Sequence, residues 1–135
     1  MTLHVELVVP DREVWSGSAR MVVAKTLDGD MGVLTSHPPV LGILAEGSVV
    51  RILDPEASGA GGQTSGELAA AVSSGFLSVA DDRVSILARR AELGSEVDKA
   101  AARAELEEAS ADASGSESPE ARWARARLRA AGEQA

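Results

Sequence analysis

The sequence changes period at about Ala91, and that change limits the possible fold more than any single motif does. Before it, Leu3, Val5, Leu7 and Val9 share one face of "LHVELVV" while His4 and Glu6 share the other, until Pro10 stops the run. This is the period-two pattern of a half-buried strand. Further short strands are expected over Arg20–Thr26, Met31–Leu34, Val40–Leu44, Ser48–Leu53, Leu68–Ser73, Phe76–Ala80 and Val84–Ala88. Asp28-Gly29 and Asp81-Asp82 supply turn chemistry between them. Many short strands at this spacing predict an all-β sandwich or barrel. The Gly- and Ser-rich run Asp54–Glu67 has too little apolar area to bury and reads as a surface loop. With no lysine and no helix opening behind it, it is not a phosphate cradle.

After Ala91 the residues are mainly Ala, Glu and Arg. Ser95 and Asp98 form a capping-box pattern that predicts a helix over Glu96–Ala111. "SGSESPE" then interrupts it, and Ser118 with Pro119 at the first helical position opens a second helix to about Ala131, with Gly132 as terminator. The first helix carries Glu96, Asp98, Glu105, Glu107, Glu108 and Asp112 against Lys99 and Arg103, whereas the second carries Arg122, Arg125, Arg127 and Arg129 against Glu120. Antiparallel pairing of acidic on basic is expected, with Val97, Ala101 and Ala104 facing Ala121, Ala124, Leu128 and Ala131. Exposed ion pairs contribute about 0–1 kcal/mol each and a buried methyl about 0.8 kcal/mol, so such a hairpin is weakly anchored and able to detach. The expected fold is α+β: an N-terminal β-sandwich over residues 1–91 and a C-terminal antiparallel two-helix hairpin over 92–135.

The chain has 135 residues, a net charge of -8, no cysteine, and only Trp15, Trp123 and Phe76 as aromatics. An acidic surface without stacking aromatics disfavours nucleic-acid binding. "RWARARLR" suggests an anionic-lipid or nucleic-acid helix, but in an acidic chain it is read as the outer face of the hairpin, with Trp123 either a packing anchor or an exposed contact. The start "MTLHVELVV" has neither a basic region nor a long apolar core, and no run approaches the roughly 20 apolar residues that span a bilayer. No signal peptide or transmembrane helix is expected.

"GDMGVLTSHPPVLGIL" places His37 before two prolines. The ring suits a catalyst, a metal ligand or a shaped contact loop. It has no HxxxH or HxH partner, and His4 lies on an ordinary alternating strand. Asp28 and Asp30 around Gly29 read as turn formers. No nucleophile–base pair or metal cluster is evident, so no catalytic residue, metal site or cofactor is expected. A hydrolase using His37 with Asp30 is the weakest reading, and a free-standing β-sandwich module binding a ligand or protein is the main alternative to the one that follows.

Several stretches in order resemble the epsilon-subunit family of the bacterial F-type ATP synthase. "GDMGVLTSHPPVLGIL" is similar to that family's G-[DE]-x-G-[IV]-x-x-x-H-x-P-[LV]-[LV] run. "EGSVVRI" follows at the usual place, and "VSSGFLSVADDRVSILARRAE" is similar to G-G-F-[LI]-x-V…V-x-[IV]-L-[AT]-x-x-A-E, with Ser74 where glycine is usual. "VWSGSA" and "SEVDKAAARAE" also fit, so the likeness spans nearly the whole chain apart from the Gly-rich insert and the last helix.

The resemblance implies a non-catalytic central-stalk subunit beside the gamma subunit and on the c-ring. It further implies a role in coupling proton-driven ring rotation to ATP synthesis by the alpha and beta subunits, and in restraining ATP hydrolysis through the hairpin. Membrane association would then come only through the complex, at the cytoplasmic face of the cell membrane. By position it makes Asp30, Met31, His37, Pro38 and Pro39 the c-ring contact candidates, and Arg122, Trp123, Arg125 and Arg129 the regulatory candidates in the hairpin. Some members bind ATP through [IL]-D-x-x-R-A, which corresponds here to Val97, Asp98, Lys99, Ala100, Ala101 and Ala102. Ala101 stands where the arginine would grip phosphate. Arg103 lies two residues on, about 200° around a helix, so weak or no ATP binding is expected.

Overall fold

The computed structural model describes residues 2–57, 66–110 and 118–133. The strands are β1 (Leu3–Val9), β2 (Arg12–Ala19), β3 (Met21–Thr26), β4 (Gly29–Val33), β5 (Val40–Leu44), β6 (Ser48–Leu53), β7 (Glu56–Ala57), β8 (Glu67–Ala80) and β9 (Arg83–Leu93). A 3₁₀ turn at Gly94–Glu96 leads to helices α1 (Lys99–Ser110) and α2 (Pro119–Ala130). The strand order is β4-β3-β5-β8-β9-β1-β2-β7, with β6 bridging β3 and β8. β1 runs parallel to β9, whereas β8 is antiparallel to β5, β6 and β9. The sheet closes on itself as a β-sandwich around one aliphatic core, in which Leu3, Leu7, Val22, Ile52, Leu77 and Ile86 are fully buried.

β8 is one strand of 14 residues where the sequence pattern suggests two. Its inward residues are Ala70 and Val72 before Ser74, but Leu77 and Val79 after it, an odd step that breaks strict alternation. Ser74 absorbs the change with a φ of 34°. Its neighbour Gly75 lies so close to β9 that a Cβ there would collide with the Leu87 carbonyl oxygen and come within 2.7 Å of the Ala88 Cα. β9 changes phase in step, from Ala88 to Ala91, and runs on to Leu93 rather than stopping at Ala88. The sequence pattern also passes over β2, whose burial does not alternate and whose register with β1 slips between Leu7 and Val8.

α1 begins at Lys99, three residues later than the capping-box pattern suggests. Ser95 lies in the 3₁₀ turn, Val97 is extended, and the Ala101 N–H donates to Asp98 Oδ1 at 3.1 Å, so Asp98 is the cap. For α2 the expected signals hold: Ser118 Oγ accepts from the Ala121 N–H at 3.1 Å, and Pro119 opens the helix. Gly132 ends it with a φ of 93°, its N–H donating to the Arg129 carbonyl and the Glu133 N–H to the Leu128 carbonyl. This double bond pattern is a Schellman motif. Residues 58–65 of the expected surface loop, the expected helix end at Ala111, the acidic Asp112, and the break at 114–117 lie outside the described residues.

Gly75→Ala is expected to destabilise the sandwich by about 1–3 kcal/mol, because the added methyl meets backbone rather than a flexible side chain. Denaturant unfolding followed by circular dichroism measures this directly.

Candidate functional site

Three surfaces offer themselves: the edge strand β4 with its flanking turns, the hairpin seat, and an apolar row on the outer face of the sheet.

At one end of β4, Thr26 Oγ1 donates to the Gly29 carbonyl at 2.8 Å and accepts from the Asp28 N–H at 3.2 Å, shaping the β3–β4 turn. Asp30 pairs across the strand with Lys25 and is exposed, while Met31 packs partly against the core. At the other end, the Ser36 N–H donates to Asp82 Oδ1 at 2.6 Å, with Ser36 at a φ of 67°. The Asp82 carbonyl also accepts from the His4 N–H at 2.9 Å, so one residue of the β8–β9 turn ties down two neighbouring segments. His37 Nδ1 donates to the Pro38 carbonyl at 2.7 Å, which fixes the ring's tautomer and orientation. Pro38 and Pro39 are exposed.

Asp30 and His37 do not meet. β5 pairs with β3 at Leu44, beside the Asp30 turn, and enters at Val40, beside His37. That interval is about 13 Å along a strand. A hydrolase using the two together has no geometry here. Among the described residues no group of three or more His, Cys, Asp or Glu is placed to hold a metal ion.

The hairpin lies with α2 on β8 and β6. Ala126, Ala130 and Trp123 pack on Ala69, Ala71 and Val49. The opposite stripe, Ala121, Ala124 and Leu128, is also buried and faces α1, where Ala102 is buried and Leu106 half-buried. The expected seam is corrected on α1: Val97, from which that stripe is counted, is extended and outside the helix, Ala104 is exposed, and Ala102 takes the inward place.

The charge pairing also differs from simple acid on base. Arg127, with a side chain only 11% exposed, donates from Nε to Glu92 of β9 at 2.6 Å and from Nη1 to Glu105 of α1 at 3.0 Å. One guanidinium therefore joins sandwich, first helix and second helix. Burial acts to lower its pKa, but the bonds and charges of Glu92 and Glu105 outweigh that and hold it above its ordinary value. A raised pKa means that this stabilisation is complete below the ordinary arginine range and is lost only as pH rises through the higher folded value. Arg127 thus adds no pH dependence near neutrality.

Arg103 pairs with Glu133 at 2.7 Å, and Lys99 reaches the same carboxylate at 3.6 Å. Asp98 is engaged as the α1 cap. Of the hairpin candidates, Arg122 and Arg129 are exposed and Arg125 half-buried. Trp123 is also half-buried, with the Arg90 guanidinium 4.6 Å from its ring centroid, so it anchors packing through a cation–π contact.

The third surface has no counterpart among the sequence-based candidates. Ile43 of β5 pairs with Phe76 of β8, Phe76 with Leu87 of β9, and Leu87 with Val8 of β1. These side chains form one row across four strands on the outer face, with Ile43 60% and Phe76 44% exposed. Leu41, 69% exposed, extends the patch along β5. The sequence signal was present in "VLGIL" and "GFL", whose runs are too apolar for a strand with one wet face.

Residues 2–94 match the family model described as ATP synthase, Delta/Epsilon chain, beta-sandwich domain. The chain is 52% identical over 132 residues to the ATP synthase epsilon chain of Thermobifida fusca, covering 96% of this chain and 91% of that one. It is 40% identical over 131 residues to the ATP synthase epsilon chain of Mycolicibacterium vanbaalenii, covering 97% and 96%. A chain from the cryo-EM structure of the Euglena gracilis mitochondrial ATP synthase OSCP/F1/c-ring assembly has the same fold. Its TM-score is 0.65 at 22% identity, over 94% of this chain and 75% of that one.

Arg127→Gln is expected to weaken hairpin docking by about 1.5–3 kcal/mol, the range for hydrogen bonds to charged groups. Tryptic cleavage at Arg122 and Arg125 under native conditions measures the effect, and the variant should be cut faster across the neutral pH range.

Proposed function

The chain belongs to the ATP synthase delta/epsilon chain family and is a non-catalytic rotor subunit of F-type ATP synthase; within that role, we propose that its surfaces divide between the gamma subunit, the c-ring and a regulatory hairpin. The observation that carries the proposal is the uncovered row Val8–Leu87–Phe76–Ile43. A contiguous exposed apolar patch on an acidic chain marks a protein contact, and a gamma subunit packed there would remove it from water.

The c-ring meets the β4 edge through Asp30 and Met31 at one end and the His37–Pro39 turn at the other. Two prolines and the Asp82 tether hold that turn in one shape, as a contact that transmits torque requires. The close-packed aliphatic core behind it resists deformation. The hairpin restrains ATP hydrolysis by leaving the sandwich, after which Arg122, Trp123, Arg125 and Arg129 face the alpha and beta subunits. Membrane association is peripheral, at the cytoplasmic face of the cell membrane. No helix among the described residues is long and apolar enough to cross a bilayer.

ATP is not a ligand in this reading. Ala101 offers no guanidinium, and Arg103 is already paired with Glu133. Calorimetry with MgATP is expected to show no binding heat, and a clear millimolar or tighter isotherm would contradict this.

Phe76→Asp should weaken co-purification with the gamma subunit about 30- to 100-fold, the effect of losing an interface hot spot, while the sandwich stays folded. Removing residues from Ser95 onward should leave gamma binding intact and raise ATP hydrolysis by synthase-bearing membranes. Unchanged gamma binding by Phe76→Asp would refute the docking face, and unchanged hydrolysis after truncation would refute the restraint.

A further inference from the structure

The interface between α2 and the sandwich is built largely of alanine methyls beside Trp123 and the Arg127–Glu92 pair, so it depends on close approach. Two glycines provide that approach at opposite ends of the helix. A Cβ on Gly94 would collide with the Ala130 carbonyl oxygen in the last turn of α2. A Cβ on Gly47 would lie 2.6 Å from Arg122 Cβ and 2.7 Å from its carbonyl carbon, in the first turn. The two contacts are eight residues apart on the helix, about 12 Å. Between them lie the Ala126 methyl, packed with Ala69 and Ala71, and the Arg127 fork to Glu92 and Glu105.

We propose that Gly47 and Gly94 are paired steric notches that decide whether the hairpin is seated, making its position an all-or-none switch set by the spacing of one methyl group. Each contact in the seat is short-ranged. Opening the gap by about 0.5–1 Å already removes a quarter to a half of a dispersion contact, and it stretches the Arg127–Glu92 bond at the same time. A helix lifted at one end therefore loses the alanine contacts and the Glu92 arm of the guanidinium fork together, while the Glu105 arm travels with the hairpin. Partial lifting is unfavourable, and the hairpin leaves as a unit. The seat stands on this chain alone; only its effect on hydrolysis rests on the proposed rotor role.

The test uses the full-length chain with Trp15→Phe, which leaves Trp123 as the only tryptophan. Gly94 does not have a positive φ, so Gly94→Ala adds a methyl without backbone strain. Gly47 has a φ of 63°, and Gly47→Asn adds a side chain that tolerates this conformation. Each change is expected to lower the seated-to-released ratio about tenfold or more. The readouts are a red shift of Trp123 emission and faster tryptic cleavage at Arg122, with the β-sheet circular dichroism retained. Ser95→Ala, beside the notch but exposed, should behave as the parent. Parental emission and tryptic protection in either notch variant would overturn the proposal, as would partial release with Trp123 exposed while the Arg127 end stays protected. In membranes carrying the synthase, Gly94→Ala that releases the hairpin yet leaves hydrolysis unchanged would count against the restraint reading and leave the notch standing.

Discussion

Strand β8 is hydrogen-bonded to three others and carries the seat of the hairpin. The strand pairs with β6 through its first half, with β5 through its second, and with β9 along nearly its whole length. Its inward residues join the single aliphatic core. Its outward face is divided at Ser74: Ala69 and Ala71 lie on one side of the division, and Phe76 lies on the other. Small residues admit a helix backbone at close range, whereas a large exposed ring next to Ile43 and Leu87 calls for a partner from outside the chain. A change of phase in one strand thus separates an internal docking site from an external one.

The stability of the two parts differs for the same reason. The sandwich core buries many Leu, Ile and Val side chains, each contributing about 1.5–3 kcal/mol relative to exposure. The hairpin seat buries chiefly alanine methyls, a cation–π contact and one two-armed arginine. Small domains are marginal even when their cores are large, so an appendage held this lightly rearranges before the sandwich does. The proposed division of roles follows that ranking: load on the stiff part and regulation by the lightly held one.

Much of this was legible in the sequence. The alternation of Leu3–Val9, the bounds of Val40–Leu44 and Ser48–Leu53, the Ser118-Pro119 start of α2 and the Gly132 stop all follow from local rules that the structure obeys. The failures have physical causes. Periodicity cannot follow a strand through a phase change, so β8 reads as two strands around Ser74-Gly75. Capping patterns cannot distinguish Ser95 from Asp98 when a 3₁₀ turn intervenes, and a stripe counted from Val97, which lies outside the helix, put Ala104 where Ala102 belongs. Long-range features were hidden altogether. Nothing near Arg127 in sequence indicates Glu92, and the row from Val8 to Ile43 exists only once four strands are in register.

In the proposed complex the Phe76 half of the outer face is covered by a partner, while the Ala71 half is covered by the chain's own hairpin. The chain has no cysteine, so a single thiol reports one position. Ile43→Cys labelled with a soluble maleimide, alone and in complex with the gamma subunit, tests the claim most directly. Rapid labelling of the isolated chain and strong protection in the complex is the predicted result, whereas equal labelling in both would contradict it.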